Sequence, residues 1–405
     1  MSHVGITVGV LGAPWRATID AGGALVPWGT AQAQPRLDWW VAAEDRWHDP
    51  QRESSVRQRR IEGTPVVETR VRVPGGDVVH RVVAVADAGG VTVIEVENES
   101  AAAVAVVFSH GQLLMQRQPV DVNVAGRTIG DIDLPASAVS FPVAHGTSIR
   151  VGLAHGADAN RANGGRLPEG LPGAVAVARG WLRQTEAASR LVLPDEALVE
   201  RVTAARCEIA LGHLDDLGEN PVDALIAVGE LVRMGVDAES LVGATATAAE
   251  RLARSARRCG LDWDGAAALA AAQRLFIAAG DRRAADDVAA IRQRLGGAGA
   301  PLPADAPEGV QLVPWVEQRL ATPLDNGSCV LLADGFDRAW LGANFEVHHL
   351  PAGPRSWVGY AVRWHGERPA VLWEVSGEPV ELRGGVASTT WSSREARGEA
   401  LWPAP

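Results

Sequence analysis

The sequence predicts a multidomain α+β protein that runs β, then α, then β. The parts are a large N-terminal antiparallel β-sandwich, a central short all-α domain of helical hairpins, and a small C-terminal β-sandwich. Three observations carry this reading. Up to about residue 185 the chain is a succession of short valine-rich runs separated by turn residues. After Pro194 the apolar spacing changes from two to about 3.6 residues. From about Leu312 short β-prone runs resume. The limits fall at 1–185, 190–297 and 312–405, with a linker at 298–311, and 405 residues suffice for two or three domains.

In the first segment VVETRVRV (Val66–Val73) alternates strictly. Val67, Thr69, Val71 and Val73 share one face, and Glu68, Arg70 and Arg72 share the other. Pro74-Gly75-Gly76-Asp77 makes a turn, VVHRVVAVAD (Val78–Asp87) returns, and Ala88-Gly89-Gly90 turns into VTVIEVEN (Val91–Asn98). Such spacing predicts an antiparallel meander. AVAVVFS, IRVGLAH and AVAVAR extend the pattern, so at least ten strands are expected, a number suited to a two-sheet sandwich.

In the second segment Leu198, Val202, Ala205 and Ile209 form one helical stripe between Asp195 and Leu211. Asn220-Pro221 is an N-cap followed by proline at the first helical position, and Gly235 ends that helix after Met234. Further helices are expected over Asp237–Arg258, Gly265–Ala279 and from Asp281 to Gly296, each stopped at a glycine. Short loops join these five helices as antiparallel hairpins. The Gly/Pro/Ala-rich GGAGAPLPADAPEG (Gly296–Gly309) marks the linker. After a short helix near Trp315, the runs CVLLAD, ANFEVHHL, WVGYAVRWHG, PAVLWEVSG, PVELRG and GEALWP supply six candidate strands.

Composition excludes several classes of function. There are 38 basic residues, all arginine, against 49 acidic ones, a net charge of −11, which argues against a nucleic-acid binder or a polybasic membrane protein. The arginine and alanine excess reads as the codon bias of a high-GC genome. No run of 18 apolar residues exists, and the first fifteen residues lack a basic segment, so neither membrane span nor signal peptide is expected. Cys207, Cys259 and Cys329 are too dispersed for a metal or redox motif and fit a reducing, cytoplasmic location. The 14 tryptophans are partitioned: five lie within the first 47 residues and six after residue 339.

No nucleophile elbow, phosphate loop, HExxH or dinucleotide fingerprint is present. DWDG (Asp262–Gly265) opens like a calcium loop but lacks the later oxygen ligands, so it reads as a helix N-cap. IGDID (Ile129–Asp133) reads as turn chemistry.

The stretch GTPVVETRVRVPGGDVVHRV (Gly63–Val82) resembles the N-terminal supersandwich of glycoside hydrolase family 15, the glucoamylases and bacterial trehalases. RLDWW (Arg36–Trp40) sits where that family has a G-S-I-D-W segment, and the order of sandwich then helical hairpins also fits. The resemblance covers about 150 residues of scaffold. It implies a supersandwich followed by a truncated α/α-toroid and a carbohydrate-related role, with two carboxylates as general acid and base and no cofactor. The sequence departs from the family in two respects. About five helices replace the toroid's twelve, and neither catalytic motif matches a position here. LGANFEVHHLP (Leu341–Pro351) and YAVRWHGERPAVLWEV (Tyr360–Val375) lie outside the family plan and resemble tails of uncharacterised proteins of high-GC bacteria.

Three constellations are candidate sites. Trp39, Trp40 and Trp47 with Glu44, Asp45, Arg46 and His48 offer stacking faces and paired polar groups for a sugar, or else anchor the sandwich. Alternation in the C-terminal sheet gathers Asn344, Glu346, His348, Arg363 and His365 on one face, with Glu374 able to join them. They could form an acid/base, ligand or zinc site, or a solvated sheet face. In the helical segment Glu208, Asp215, Asp216, Glu219 and Glu230 are the carboxylates from which a hydrolase would draw its pair, or else they serve capping and solubility. Glu208, Asp216, Glu346 and His348 are the catalytic candidates, and no metal site is assigned. The expected function is a glycosidase-like protein with a carbohydrate role, hydrolysis retained or lost. The alternative is a non-catalytic module recognising a glycan or a protein. The expected partner is an oligosaccharide, with no nucleic acid or membrane, and a homo-oligomer is left open.

Overall fold

A computed structural model describes residues 5–29, 34–120, 128–155, 165–212, 220–296 and 301–405. The fold is multidomain α+β, all-β at the N-terminus and mixed beyond it. It divides into two compact units, Met1–Trp181 and Leu182–Pro405.

The described residues of the first unit form fifteen strands: β1 (Ile6–Gly9), β2 (Arg16–Ile19), β3 (Leu25–Trp28), β4 (Trp39–Ala42), β5 (Trp47–His48), β6 (Arg57–Arg60), β7 (Val67–Val73), β8 (Gly76–Val85), β9 (Val91–Asn98), β10 (Val104–Phe108), β11 (Leu114–Met115), β12 (Thr128–Ile129), β13 (Ile132–Asp133), β14 (Val139–Val143) and β15 (Ser148–Ala154). They form a six-stranded sheet β11-β15-β9-β8-β7-β6, a four-stranded sheet β14-β10-β4-β5, a three-stranded sheet β1-β2-β3 and the hairpin β12-β13. The expected meander is present. Val73 pairs with Gly76 across a two-residue turn, and Gly75 at φ 76° supplies the left-handed conformation that turn requires. Val67, Val71, Val78, Val82, Ile94 and Val96 line a core with Phe108 and Phe141 from the four-stranded sheet. On the opposite face of β7 the Glu68 carboxylate is buried beneath Arg59, Arg70 and Arg81. Burial alone would raise its pKa, but Arg70 and Arg81 bring it down to about 2. IGDID makes the β12-β13 turn, with Gly130 at φ 62°.

One expected strand is a helix. AVAVAR opens α1 (Ala174–Glu186). Its buried positions, Ala178, Trp181 and Thr185, recur at helical spacing, while Val175 is 60% exposed. Alanine is the strongest helix former, and the helical stripe in the following residues outweighs a six-residue alternation.

In the second unit β16 (Arg190–Val192) precedes α2 (Glu196–Leu211), α3 (Pro221–Arg233), α4 (Val242–Cys259), α5 (Trp263–Ala278), α6 (Arg282–Arg294) and α7 (Leu312–Leu320). The caps lie near their expected places. Asp195, Asn220 and Asp281 accept from the backbone of Leu198, Val222 and Ala284, and Gly235, Gly260 and Gly280 have positive φ at the exits. Asp262 occupies the N-cap position of α5 but makes no side-chain capping bond. The remaining strands are β17 (Ala321–Pro323), β18 (Ser328–Leu331), β19 (Phe345–Pro351), β20 (Ser356–His365), β21 (Arg368–Gly377), β22 (Glu381–Gly384), β23 (Ser392–Ser393) and β24 (Arg397–Leu401). They form a five-stranded sheet β16-β19-β20-β21-β24 and a four-stranded sheet β17-β18-β22-β23, in which β18 and β22 run parallel. Helices α2 and α7 share one core with these sheets. Val202 and Ala205 of α2 and Val313 and Val316 of α7 pack with Phe345, Val358 and Trp402. β16, from before the helices, pairs with β19 and ties the two ends of this unit together.

Candidate functional site

The most concentrated buried chemistry lies in the second unit, between helices and sheet. Arg206 projects from the apolar stripe of α2, beside Val202 and Ala205. Glu230 and Arg233 lie one turn apart on α3, within the otherwise apolar run Leu225–Met234, and Glu317 sits on α7. All four side chains are at most 9% exposed. Arg206 donates from Nε to Glu230 at 3.0 Å and from Nη2 to Glu317 at 2.8 Å. Arg233 donates to both Glu317 oxygens at 2.8 Å and also to Glu230. The Ser189 hydroxyl donates to Glu317 at 2.6 Å, and the Ser189 carbonyl accepts from Arg206 at 2.8 Å.

Taking four charges out of water costs several kcal/mol per ion, and only such dense hydrogen bonding offsets it. Burial pushes the Glu317 carboxyl up, but Arg233, Arg206 and Ser189 hold it well below the ordinary carboxylate value. Burial likewise opposes the charge on Arg233, yet Glu230 and Glu317 raise its pKa above the usual arginine value. The quartet pairs two arginines with two carboxylates, so its formal charges balance.

His349 stands at its edge. A β-bulge between Val347 and Leu350 puts it at φ 61°, a conformation that non-glycine residues rarely adopt. Its ring stacks on Trp357 with centroids 5.2 Å apart and planes 6° from parallel. Burial, then the nearby Arg233, lowers its pKa. Strained backbone of this kind clusters at functional positions.

The tryptophan constellation lies in the first unit. Trp39 is 2% and Trp40 8% exposed. Trp39 stacks on His80 at 4.5 Å and donates to the Gly22 carbonyl, while Trp40 packs on Val107, Ile132 and Leu134. Their faces are in the core, so neither presents a platform to a sugar. Trp47 is half-buried beside Trp40, and Glu44 is exposed. His48 is buried, with Nδ1 2.8 Å from Glu53 and Nε2 3.1 Å from Asp45, and Arg46 also pairs with Glu53 at 2.9 Å. Glu53 is the member of this group that the sequence reading missed.

On the outer face of the five-stranded sheet Glu346, His348 and Arg363 come together as alternation predicts. Arg363 donates to Glu346 at 2.8 Å, and His348 lies 3.5 Å from it. The Arg363 bond chiefly lowers the Glu346 pKa. Asn344 turns instead to the backbone of Trp364. His365 is exposed at the strand end opposite Arg368, and Glu374 pairs with Arg397. Of the helical carboxylates, Glu208 is exposed on α2 and Glu230 belongs to the quartet. Asp215, Asp216 and Glu219 lie outside the described residues. Among the described residues no group of three or more His, Cys, Asp or Glu side chains is placed to hold a metal, and no helix is long and apolar enough to cross a membrane.

The quartet had a readable trace in the sequence. Arg206, Glu230 and Glu317 each interrupt an apolar helical stripe, where a charge needs a buried partner. No protein-family model matches the chain, and a search of curated proteins finds no match.

Proposed function

We propose that the protein is a glycosidase-like scaffold with a carbohydrate-related role that binds its ligand rather than cleaves it. The observation that carries this reading is the state of the carboxylates. Glycoside hydrolysis by either stereochemical route needs one carboxylic acid kept protonated near neutrality. Glu317 and Glu346 are instead clamped by arginine and held below the ordinary value. The other carboxyls of the described residues whose pKa clearly moves, Asp45, Glu68 and Glu381, also move down. Carboxylates fixed in the ionised state with arginine beside them suit hydrogen bonding to hydroxyl groups. The saccharide class is supported by the resemblance of Gly63–Val82 to the supersandwich and by the order of sandwich then helical hairpins.

The test pairs two measurements on the full chain. Thermal unfolding is followed with glucosides, trehalose, maltooligosaccharides and uronates, and nitrophenyl glycosides are assayed for release. The expected result is a shift in Tm with one sugar class and no turnover. Turnover that disappears in Glu346→Gln or Glu230→Gln overturns the binding reading, and a flat panel removes the carbohydrate assignment.

A further inference from the structure

The five-stranded sheet of the second unit ends on an open strand. β24 is outermost in the order β16-β19-β20-β21-β24 and pairs with β21 alone. The Val375 amide donates to the Ala396 carbonyl at 2.7 Å, and the Trp402 amide to the Pro369 carbonyl at 2.9 Å. Backbone groups of alternate residues turn to the same side of an antiparallel strand, so Gly398 and Ala400 also face β21. The N–H and C=O groups of Arg397, Glu399 and Leu401 therefore point away from the sheet, and no backbone group meets them among the described residues. Their side chains are exposed, and Leu401 at 48% lies on the same face as Leu372 at 37%. Other edges are blunted. β6 carries Arg57, Arg59 and Arg60, which repel a second copy of themselves; β14 contains Pro142, and Val120 donates to its Ser140 carbonyl at 2.9 Å. β24 runs for five residues without a proline or a break in register.

We propose that β24 pairs with β24 of a second copy of this chain, antiparallel about a two-fold axis at Gly398, so that the two sheets become one. Charge sets the register. With Gly398 on the axis, Arg397 lies opposite the partner's Glu399 and Glu399 opposite the partner's Arg397, and each pair exchanges both of its backbone bonds. Centring the pair on Glu399 would set that carboxylate against its own copy, a destabilising like-charge contact. Centring it on Ala400 would set Glu399 against Leu401 and leave the charge unmatched. Arg397 already reaches Glu374 at 2.5 Å within its own sheet, whereas no hydrogen bond or ion pair occupies the Glu399 side chain among the described residues. An added Cβ at Gly398 would fall 2.4 Å from the Trp373 ring. The bare residue also suits the axis, where facing Cα atoms approach to about 4.5 Å. Pro403, two residues beyond Leu401, has no N–H, so the row of outward donors stops at Leu401.

Sedimentation velocity of the full chain from about 1 to 300 µM tests this, because a single edge pairing buries little area and belongs to the weak class of interfaces. The expected result is a reversible monomer–dimer equilibrium, with hydrogen exchange over Arg397–Leu401 slowing as the dimer forms. Arg397→Glu and Glu399→Arg should each weaken the dimer about tenfold or more, since two-fold symmetry counts every like-charge contact twice. An equimolar mixture of these two variants should dimerise again, because each substituted side chain then faces the opposite charge. Glu399→Pro should be monomeric and unfold near the parent temperature, because the N–H it removes points outward. The charge variants leave the backbone as it is and decide the matter if the proline disturbs the fold. A dimer that survives Glu399→Arg, or a mixture of the two charge variants that stays monomeric, would overturn the proposal. A parent that stays monomeric with its edge amides in free exchange would overturn it too and leave the edge to a strand of another protein.

Discussion

Lowering the pH from 8 to 5 should destabilise the first unit by about 4 kcal/mol through two buried histidines, His80 and His155. His80 is fully buried against Trp39, and neither ring nitrogen has a partner among the described residues. Burial pushes its pKa from 6.5 down to about 3. His155 stacks on Trp15 at 4.2 Å, has Nε2 2.8 Å from the Thr92 hydroxyl, and is pushed by burial to about 4. Because both folded values lie below the unfolded one, the unfolded chain takes up protons first. Stability is therefore full above pH 6.5 and falls as the pH drops towards 3–4. At pH 5 the chain is 1.5 below the unfolded pKa, and at about 1.36 kcal/mol each the cost is about 2 kcal/mol per histidine. That is a large share of a typical domain stability of 5–15 kcal/mol. Carboxylates held low in the fold, such as Glu68, act in the same direction but only below about pH 4.5. Urea unfolding at pH 8, 7, 6 and 5 reads the slope, with tryptophan emission reporting directly because each ring is stacked on indole. His80→Phe keeps the stack and cannot titrate, so it should recover about half of the loss at pH 5. Parallel pH curves for parent and variant would refute the reasoning, because they would mean that His80 reaches water or an acceptor in the fold.

Three further outcomes follow from the packing. Glu317→Gln leaves Arg206 and Arg233 without their shared carboxylate and should cost about 3–5 kcal/mol by urea unfolding, whereas an unchanged midpoint would mean that water reaches the quartet. Gly229→Ala gains about 1 kcal/mol of helix propensity but forces α3 from α5, so a net loss of up to about 2 kcal/mol is expected in the same assay. A more stable variant would place those helices farther apart. Glu346→Ala removes a half-exposed pair with Arg363 and should change stability by less than about 1 kcal/mol, with any effect shrinking in added salt.

How far the sequence speaks depends on the range of the interaction. Val67 to Val73 and Val78 to Val85 declared their strands because alternation and a two-residue turn are local. The helix limits at Asp195, Asn220, Asp281 and Gly235 were legible because capping is settled within one turn. AVAVAR misled because alternating Ala and Val satisfies both periods over six residues, and only burial of Ala178, Trp181 and Thr185 decided for the helix.

The outer-face trio Glu346, His348 and Arg363 was predictable because a strand and its antiparallel neighbour fix one face between them. The quartet was not, because Arg206, Glu230, Arg233, Glu317 and their partner Ser189 come from four separate stretches that meet only when α2, α3 and α7 come together. The same holds for Trp39 and Trp40, whose type suggested a sugar platform while sheet packing turned their faces inward. AVAVAR and the Asp262 cap aside, the sequence by itself determined the order of the main elements, their caps and the face that strand residues take, since these follow from backbone sterics and side-chain period. Only the tertiary structure decided which partners the buried charges find. Desolvation and pairing depend on neighbours that are distant in the chain, and no local pattern contains them.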